Sequence, residues 1–443
     1  MDFYAHQKQV VDEKDRPERK KYGNWRGTGS GKTRTTVAIA EGLTLVICPK
    51  TQFQDEIWPK EWAEQGRDPA ELIVVSKEKF KELFNFDPLS VCGGKFPQTV
   101  IVDEAHTVAG VQPETRQKDL IKYPKTSQIF EDLSRYLNMA KPDRIHLLTA
   151  TPAASPMSLW ALGVLMGKDW DYYQFRETFY YNTTLRGYER WLPKFRRKAW
   201  PNSKPAVKEF IENEKRISIE MAAKTKESIG YIGKLNDWFD VPEQTFKEHH
   251  VGVTAEQESR YKELKVLYPD PMVQAGKRQK LEQGLFEGQF VAENKTEAIE
   301  KYMQEFGRVV VFCKYTDQIA LYKKHFEKDY KVLVLNGAAK SRKELLAEAN
   351  AAEECLFIAQ AQISSGWQLP EYPCMIFASM DYSYVNYDQG IGRILRADHI
   401  KKNLYVFLIA GKGDRLVKEI VAEKQDFSEA RFAKELCESA KLT

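Results

Sequence analysis

The stretch RGTGSGKT, residues 26–33, decides the fold. Gly27, Gly29 and Gly31 let the backbone curl so that successive N–H groups point inward, around phosphate oxygens. Thr28 and Ser30 fill the positions between them. Lys32 adds a positive charge for the β and γ phosphates, and the Thr33 hydroxyl can ligate Mg²⁺. A helix expected from Thr33 to Glu41 aims the positive end of its dipole at the same phosphates. A dinucleotide GxGxxG starting at Gly27 needs glycine where Lys32 stands, so that reading fails. Two details are unusual: the strand expected ahead of the loop, residues 22–25, is weakly apolar, and Arg26 holds its outer position.

Outward from the loop, short apolar runs alternate with helix-like segments. The runs fall at residues 43–48, 72–75, 99–102 and 145–149, then at 309–313, 332–335, 356–359, 375–378 and 404–409. Runs this short and rich in Val, Ile and Leu suit strands buried on both faces of a parallel sheet. Two such series predict an α/β chain of two lobes, residues 1–240 and 241–443, divided where DVPEQ at 240–244 breaks the helical periodicity. Between 170 and 308 strand-like runs are nearly absent, while 205–220 and 255–267 look helical. That region is expected to hold a helical and basic extension of the first lobe, about 170–240, and the connection onward.

At 443 residues the chain exceeds one ordinary core. No apolar stretch approaches the roughly 20 residues that span a bilayer. The start, MDFYAHQKQVVDEKDRPERKK, is polar and is not expected to act as a secretory signal. The expected location is the bacterial or phage-infected host cytoplasm, with no membrane partner. Six cysteines form no CxxC pair and several sit in apolar runs, so they read as small core residues. The net charge of +4 permits a nucleic-acid partner without demanding one.

VIVDEAH, residues 100–106, puts two carboxylates after a buried strand, where acids of a parallel sheet face the ligand crevice. With a phosphate loop upstream, Asp103 can hold Mg²⁺ together with Thr33, and Glu104 can polarise the attacking water. Alone, such a pair is an ordinary solvated loop. His106 is expected to couple this site to the other lobe by hydrogen bonds. In QGIGRILR, residues 389–396, Arg393 and Arg396 are three apart and would share one helix face. They read either as surface cations or as arginine fingers reaching γ-phosphate charge. Gly390 and Gly392 weaken a helix by about 1 kcal/mol each relative to Ala, which favours close approach or a hinge.

Residues 185–208, LRGYERWLPKFRRKAWPNSKPAVK, carry eight basic side chains, among them Arg190, Arg196 and Arg197, with interleaved aromatics and one acid. Phosphate binding with base stacking is one reading; a solvated basic helix whose aromatics pack on the first lobe is the other.

In their order, these elements resemble the superfamily 2 helicases and, within them, the Swi/Snf-type DNA translocases. His6–Gln7 resembles the Q motif, in which Gln7 would read the adenine edge. GTGSGKT resembles motif I, and LVICPKTQFQDEIWPKEW, residues 45–62, resembles motif Ia with Lys50 near the DNA backbone. VVSKEKF, residues 74–80, is similar to the segment before motif II and carries Lys77. DEAH resembles motif II. LLTATPAASPMSLWAL, residues 147–162, resembles motif III, with Thr149 and Thr151 coupling nucleotide to motion. VVVFCKYTDQ resembles motif IV with Lys314. AQISSGWQL, residues 361–369, resembles motif V, with Gly366 near the ribose and Ser364 and Ser365 by the nucleic acid. QGIGRILR matches motif VI, with Gln389, Arg393 and Arg396.

The resemblance implies two RecA-like lobes with helical insertions between motifs III and IV, ATP and Mg²⁺ as cofactors, and a duplex or branched DNA partner. RNA stays open as the alternative partner. The family's motif VI usually ends RIGQ where this chain reads LRADH, and its acidic lead into motif I is replaced by Arg26. The chain is thus similar to a compact prokaryotic or bacteriophage member. A strand-separating helicase, a restriction or repair motor subunit and a non-hydrolysing ATP-switched binding module are the alternatives.

Overall fold

The computed structural model describes residues 3–422 apart from 28, 114, 118–119, 123–124, 153–154, 186–187, 195–196, 198, 200–201, 234–236, 240, 340, 364–365 and 396–401. The chain divides into two units, Met1–Trp238 and Phe239–Thr443.

Six strands build the sheet of the first unit: β1 (Lys21–Arg26), β2 (Thr44–Cys48), β3 (Leu72–Ser76), β4 (Thr99–Asp103), β5 (Arg144–Leu148) and β6 (Gly230–Gly233). They lie in the order β6-β1-β5-β4-β2-β3, and every pair is parallel. All five positions of β2, β4 and β5 are buried, which is why β2 and β4 are mostly apolar without alternation, whereas β5 also buries Arg144 and His146. One face packs on Trp58, Trp62 and Val37, the other on Phe80, Leu133, Tyr136, Leu159 and Leu162. Helices α1 (Ala5–Asp12), α2 (Lys32–Ile39) and α3 (Pro205–Ser228) matter below.

β1 is buried despite its polar letters. Trp25 lies over Gly23 and Gly230, where any Cβ would stand about 2 Å from its ring. Arg26 is also buried and donates to Asn24 Oδ1 (3.0 Å), His6 O (3.1 Å) and Thr35 Oγ1 (3.2 Å). A guanidinium taken out of water needs such acceptors, and here it ties α1, β1 and α2 together.

The stretch expected to be nearly free of strands holds several. Tyr180–Leu185 and Tyr188–Pro193 form an antiparallel hairpin that joins Thr115–Gln117 and Leu120–Lys122 in a four-stranded sheet. Residues 188–193 of the basic segment are therefore strand, where one of its two readings was a helix. Its YYNTTL and YERWLP carry β-branched and aromatic residues, which favour a pleated, half-buried surface. Helix α3 runs eight residues beyond its expected end, to Ser228.

The second unit repeats the plan with β7 (Gln244–His250), β8 (Arg308–Cys313), β9 (Val332–Leu335), β10 (Cys355–Gln360), β11 (Cys374–Phe377) and β12 (Asn403–Ile409). Their order is β7-β12-β11-β8-β10-β9, again all parallel. Each unit is a RecA-like lobe: a parallel sheet flanked by helices. Among the described residues no helix is long and apolar enough to cross a membrane.

A buried polar network braces the second sheet. Lys295 is 2% exposed and its ammonium donates to Gln283 Oε1 (2.6 Å), Ala378 O (2.6 Å) and Asp414 Oδ2 (2.8 Å). All three of its donors are satisfied. Glu282 accepts from the backbone N–H groups of Gly413 (3.0 Å) and Asp414 (2.8 Å), capping the start of the last described helix. Burial, with Asp414 adding to it, pushes the Glu282 carboxyl up to about 7. Removing one partner of a buried pair strands the other charge. Lys295→Met is expected to destabilise the second lobe by about 3–5 kcal/mol, read in chemical unfolding. Lys295→Met with Asp414→Leu should recover much of that loss; full additivity of the two changes would refute the pairing.

Candidate nucleotide site

Three catalytic-type segments meet because three strands end at one level. Asn24 of β1 and Asp103 of β4 both pair with Leu148 of β5, which lies between them. The phosphate loop, the acidic pair and the Thr149–Thr151 turn therefore leave the same edge side by side, at the carboxyl ends where α/β sheets bind ligands. Thr149 N donates to Asn24 O (3.2 Å) and locks the middle segment to the first.

Within the loop, Gly29 (φ +85°) and Gly31 (φ +75°) occupy left-handed backbone conformations that side chains disfavour. Gly31 caps α2, which starts at Lys32, one residue before its expected start. A Cβ on Gly31 would stand 2.2 Å from Gln7 Nε2. Gln7 donates to Ser30 O (3.2 Å) and accepts from Tyr4 N (3.2 Å), so the Q-like element clasps the loop. Gly27 N donates to Gly233 O of β6 (2.9 Å). Lys32 Nζ donates to the carbonyls of Arg26 (2.9 Å) and Gly27 (3.1 Å). Ser30 Oγ is buried with no hydrogen-bond partner among the described residues, a polar atom left over inside the cradle.

Sequence reasoning missed His6 as a member. Its Nε2 lies 3.1 Å from Ser30 O, and its ring stacks on Trp238 at 4.4 Å. The HQ pair was the available signal; the stacking partner, more than 230 residues away, left none.

The acidic pair is built to be unequal. Burial, and the neighbouring Glu104 carboxylate, push Asp103 up to about 6, although Glu104 N donates to its Oδ1 (2.8 Å). Burial also raises Glu104, but the His106 hydrogen bond and the charges of His106, Lys32 and Lys77 outweigh it, and its net shift is downward. Glu104 sits at φ +48°, a strained backbone that turns its side chain back into the site. Its Oε2 lies 3.3 Å from His106 Nδ1 and accepts from Thr149 Oγ1 (3.5 Å). His106 Nδ1 and Thr149 Oγ1 are 2.9 Å apart, and Thr151 N donates to Thr149 Oγ1 (3.1 Å). The three coupling candidates thus form one chain ending on Glu104, and these partners of His106 lie in its own lobe, where the sequence reading had them in the other.

The donor set suits a magnesium nucleotide. Thr33 and Asp103 offer hard oxygens, and Mg²⁺ takes one or two protein ligands beside phosphates. Among the described residues there is no cluster of three or more His, Cys, Asp or Glu side chains that could cage a metal unaided.

In the second unit, helix α4 (Tyr384–Ile391) was expected to carry both arginines on one face. It stops at Ile391, with Gly392 as its cap, so Arg393 stands in the following turn. The two glycines explain the early stop, since each costs the helix stability. Arg393 is buried and donates to Gln389 O (2.7 Å) and Trp367 O (2.7 Å), fastening the motif V-like segment to α4. Gln389 is likewise buried, and Gly366 takes φ +79°. Trp367 stacks against Phe312 at 5.8 Å.

Residues 294–398 match the family model described as Helicase conserved C-terminal domain. Over these residues the second lobe is similar to helicase C-terminal domains. The resemblance to superfamily 2 helicases read from the motifs stands on this match. A Sulfolobus solfataricus SWI2/SNF2 ATPase core, solved in complex with dsDNA, is similar over 98% of this chain and 92% of its own, at 15% identity and a TM-score of 0.39. No curated protein matches the sequence.

Residues expected to touch nucleic acid are scattered. In the second unit, Lys314 Nζ donates to Gln279 Oε1 (3.0 Å) and lies over the Tyr382 ring at 4.4 Å. In the first unit, Lys50 is exposed at the start of a short helix after β2. Lys77 is not on an open track: its Nζ donates to Glu104 O (3.3 Å) and to Thr107 Oγ1, beside the acidic pair. Arg190 lies on the strand Tyr188–Pro193, between Thr183 and Thr115. Arg197 pairs with Glu214 Oε2 of α3 (2.5 Å), and Trp191 packs on the core beneath Arg176 at 3.9 Å. Part of the basic segment therefore packs on the lobe. Thr28, Arg196, Ser364, Ser365 and Arg396 lie outside the described residues.

Proposed function

We propose that the chain is an ATP-driven motor of the superfamily 2, Swi/Snf-like kind, moving along double-stranded or branched DNA. The observation that carries this reading is the common level of β1, β5 and β4, which brings phosphate loop, coupling threonines and acidic pair to one edge in a chain whose second lobe is similar to helicase C-terminal domains. The backbone N–H groups of residues 27–33 and Lys32 grip the phosphates, and Gln7 reads the adenine edge. Thr33 and Asp103 would hold Mg²⁺, which supplies charge neutralisation at the phosphates. Glu104, kept ionised, orients the attacking water and accepts its proton. Arg393 and Arg396 of the second lobe bring positive charge to the γ phosphate during turnover, and Gln389 and Gly366 contribute from the same lobe. The chain from Thr151 through Thr149 and His106 to Glu104 lets a shift of one segment register at the water activator.

The test is an ATPase titration against single-stranded, duplex and four-way DNA and against RNA, at two salt concentrations. Duplex or branched DNA is expected to raise turnover several-fold, with less effect at high salt because phosphate contacts are weakened. Equal rates with and without nucleic acid would end the motor reading. Greater stimulation by RNA would favour a strand-separating RNA helicase.

A further inference from the structure

Lys77 opens the helix Lys77–Phe86 directly after β3 and is half-buried. Ser76 caps that helix, its Oγ accepting from Lys79 N (3.2 Å), so the point where the lysine leaves the backbone is fixed. β3 is the edge strand and lies two places from β4, with β2 between them. At the usual strand spacing of ~4.8 Å, two places are about 10 Å, which only a long side chain crosses. Lys77 crosses it: its Nζ donates to Glu104 O (3.3 Å) and to Thr107 Oγ1.

Glu104 O is a crowded acceptor, because Thr107 N (3.0 Å) and Thr107 Oγ1 (2.8 Å) donate to it as well. A carbonyl has two lone pairs. Three donors converge on this one, and one of them is a cation. The reason lies in the backbone. Glu104 sits at φ +48° and ψ +52°, a left-handed conformation for a residue that carries a side chain. Such a residue keeps that conformation only where its surroundings over-determine it. Asp103 Oδ1 holds its N–H (2.8 Å), and His106 and Thr149 hold its carboxylate. Lys77 and Thr107 hold the carbonyl side. This turn sets where the carboxylate points, so a grip on the carbonyl is a grip on the carboxylate. The ammonium is already engaged by two internal acceptors, and its charge acts on both Asp103 and Glu104. That commitment distinguishes it from an open lysine awaiting a phosphate.

We propose that Lys77 is a positioning residue of the hydrolytic site, clamping the Glu104 turn from the end of β3 and so aiming the carboxylate at the attacking water. The proposal rests on the reading of Glu104 as water activator and adds a residue outside the phosphate loop and the acidic pair. It is tested in the full chain by phosphate release, with and without duplex DNA. Lys77→Met keeps the stem and removes the cation; kcat is expected to fall about 10–100-fold, the scale of a misplaced reacting group. KM for ATP should change less than about threefold, since binding is not what is lost. Lys77→Arg keeps a cationic donor of similar reach and should restore kcat to within a few-fold. Thr107→Val, at an exposed position, should lower kcat several-fold with KM again little changed. In a Glu104→Gln background, Lys77→Met should cost less than about threefold, because residues that act as a unit are not additive. An equal loss in both backgrounds, a raised KM with kcat intact, or no rescue by arginine would each overturn the proposal. So would kcat unchanged in Lys77→Met while Glu104→Gln abolishes turnover, an outcome that leaves the site reading intact. Should Lys77→Met fail to fold, unchanged kcat in Thr107→Val would overturn it instead. Undiminished turnover in Glu104→Gln would remove the water activator itself, and the clamp with it. The slope of log duplex affinity against log salt is expected to stay as in the unaltered chain; a loss of about 0.9 in Lys77→Met would make the lysine a phosphate contact and overturn the clamp.

Discussion

Replacing Lys32 by alanine is expected to cut ATP turnover by about 10²–10³-fold, the scale on which removal of one preorganised charge-stabilising group acts. The structure gives the substitution three effects. The ammonium leaves the phosphate loop, where it bridges the carbonyls of Arg26 and Gly27. Its charge, which holds Asp103 and Glu104 toward their ionised forms, is lost as well. The centre meant to meet β and γ phosphate disappears with it. Two lost hydrogen bonds are worth only about 1 kcal/mol each, so the fold should survive and the thermal midpoint should shift by a few degrees. Steady-state phosphate release measures the effect. Turnover within about tenfold of the unaltered chain would remove Lys32 from the site.

Glu104→Gln separates chemistry from binding. Glutamine has the same length, keeps an oxygen for Thr149, and meets no new penalty at φ +48°. What it lacks is a proton acceptor. Turnover should fall roughly 10²–10⁴-fold, the usual share of a general base. Binding of a fluorescent ATP analogue should change only a few-fold. A collapse of nucleotide binding would show instead that Glu104 shapes the loop, and undiminished turnover would place the water activator elsewhere.

Much of this was legible in the sequence, for identifiable reasons. A phosphate cradle needs glycines at fixed offsets and a lysine at the helix start, and such a pattern has few other uses. The buried strands were legible because both faces are covered, which leaves Val, Ile and Leu in unbroken runs. β6 and β7 lie at sheet edges; GYIG and the exposed QTFKEHH carry no such run. The four-stranded sheet escaped because its two hairpins are short and the pairing that joins them, residues 115–117 with 188–190, spans some 70 residues and leaves no local period. Arg393 was misplaced on a helix because periodicity counts positions, whereas Gly390 and Gly392 end the helix before them. Lys77 read as a nucleic-acid contact; only the fold places it at the Glu104 carbonyl. Lys295 and Asp414 carry no signal in the sequence, because 119 residues separate two charges that are buried together.

The strand Gly230–Gly233 has a practical consequence for anyone dissecting this chain. A fragment ending near residue 200 would retain every recognisable signature of the first lobe. It would also strip the outermost ribbon from its flank, uncover the Trp25 indole and leave a row of unpaired amides open to the next molecule. Such a piece would be more prone to aggregate than to report on activity, so an informative cut has to fall after residue 233.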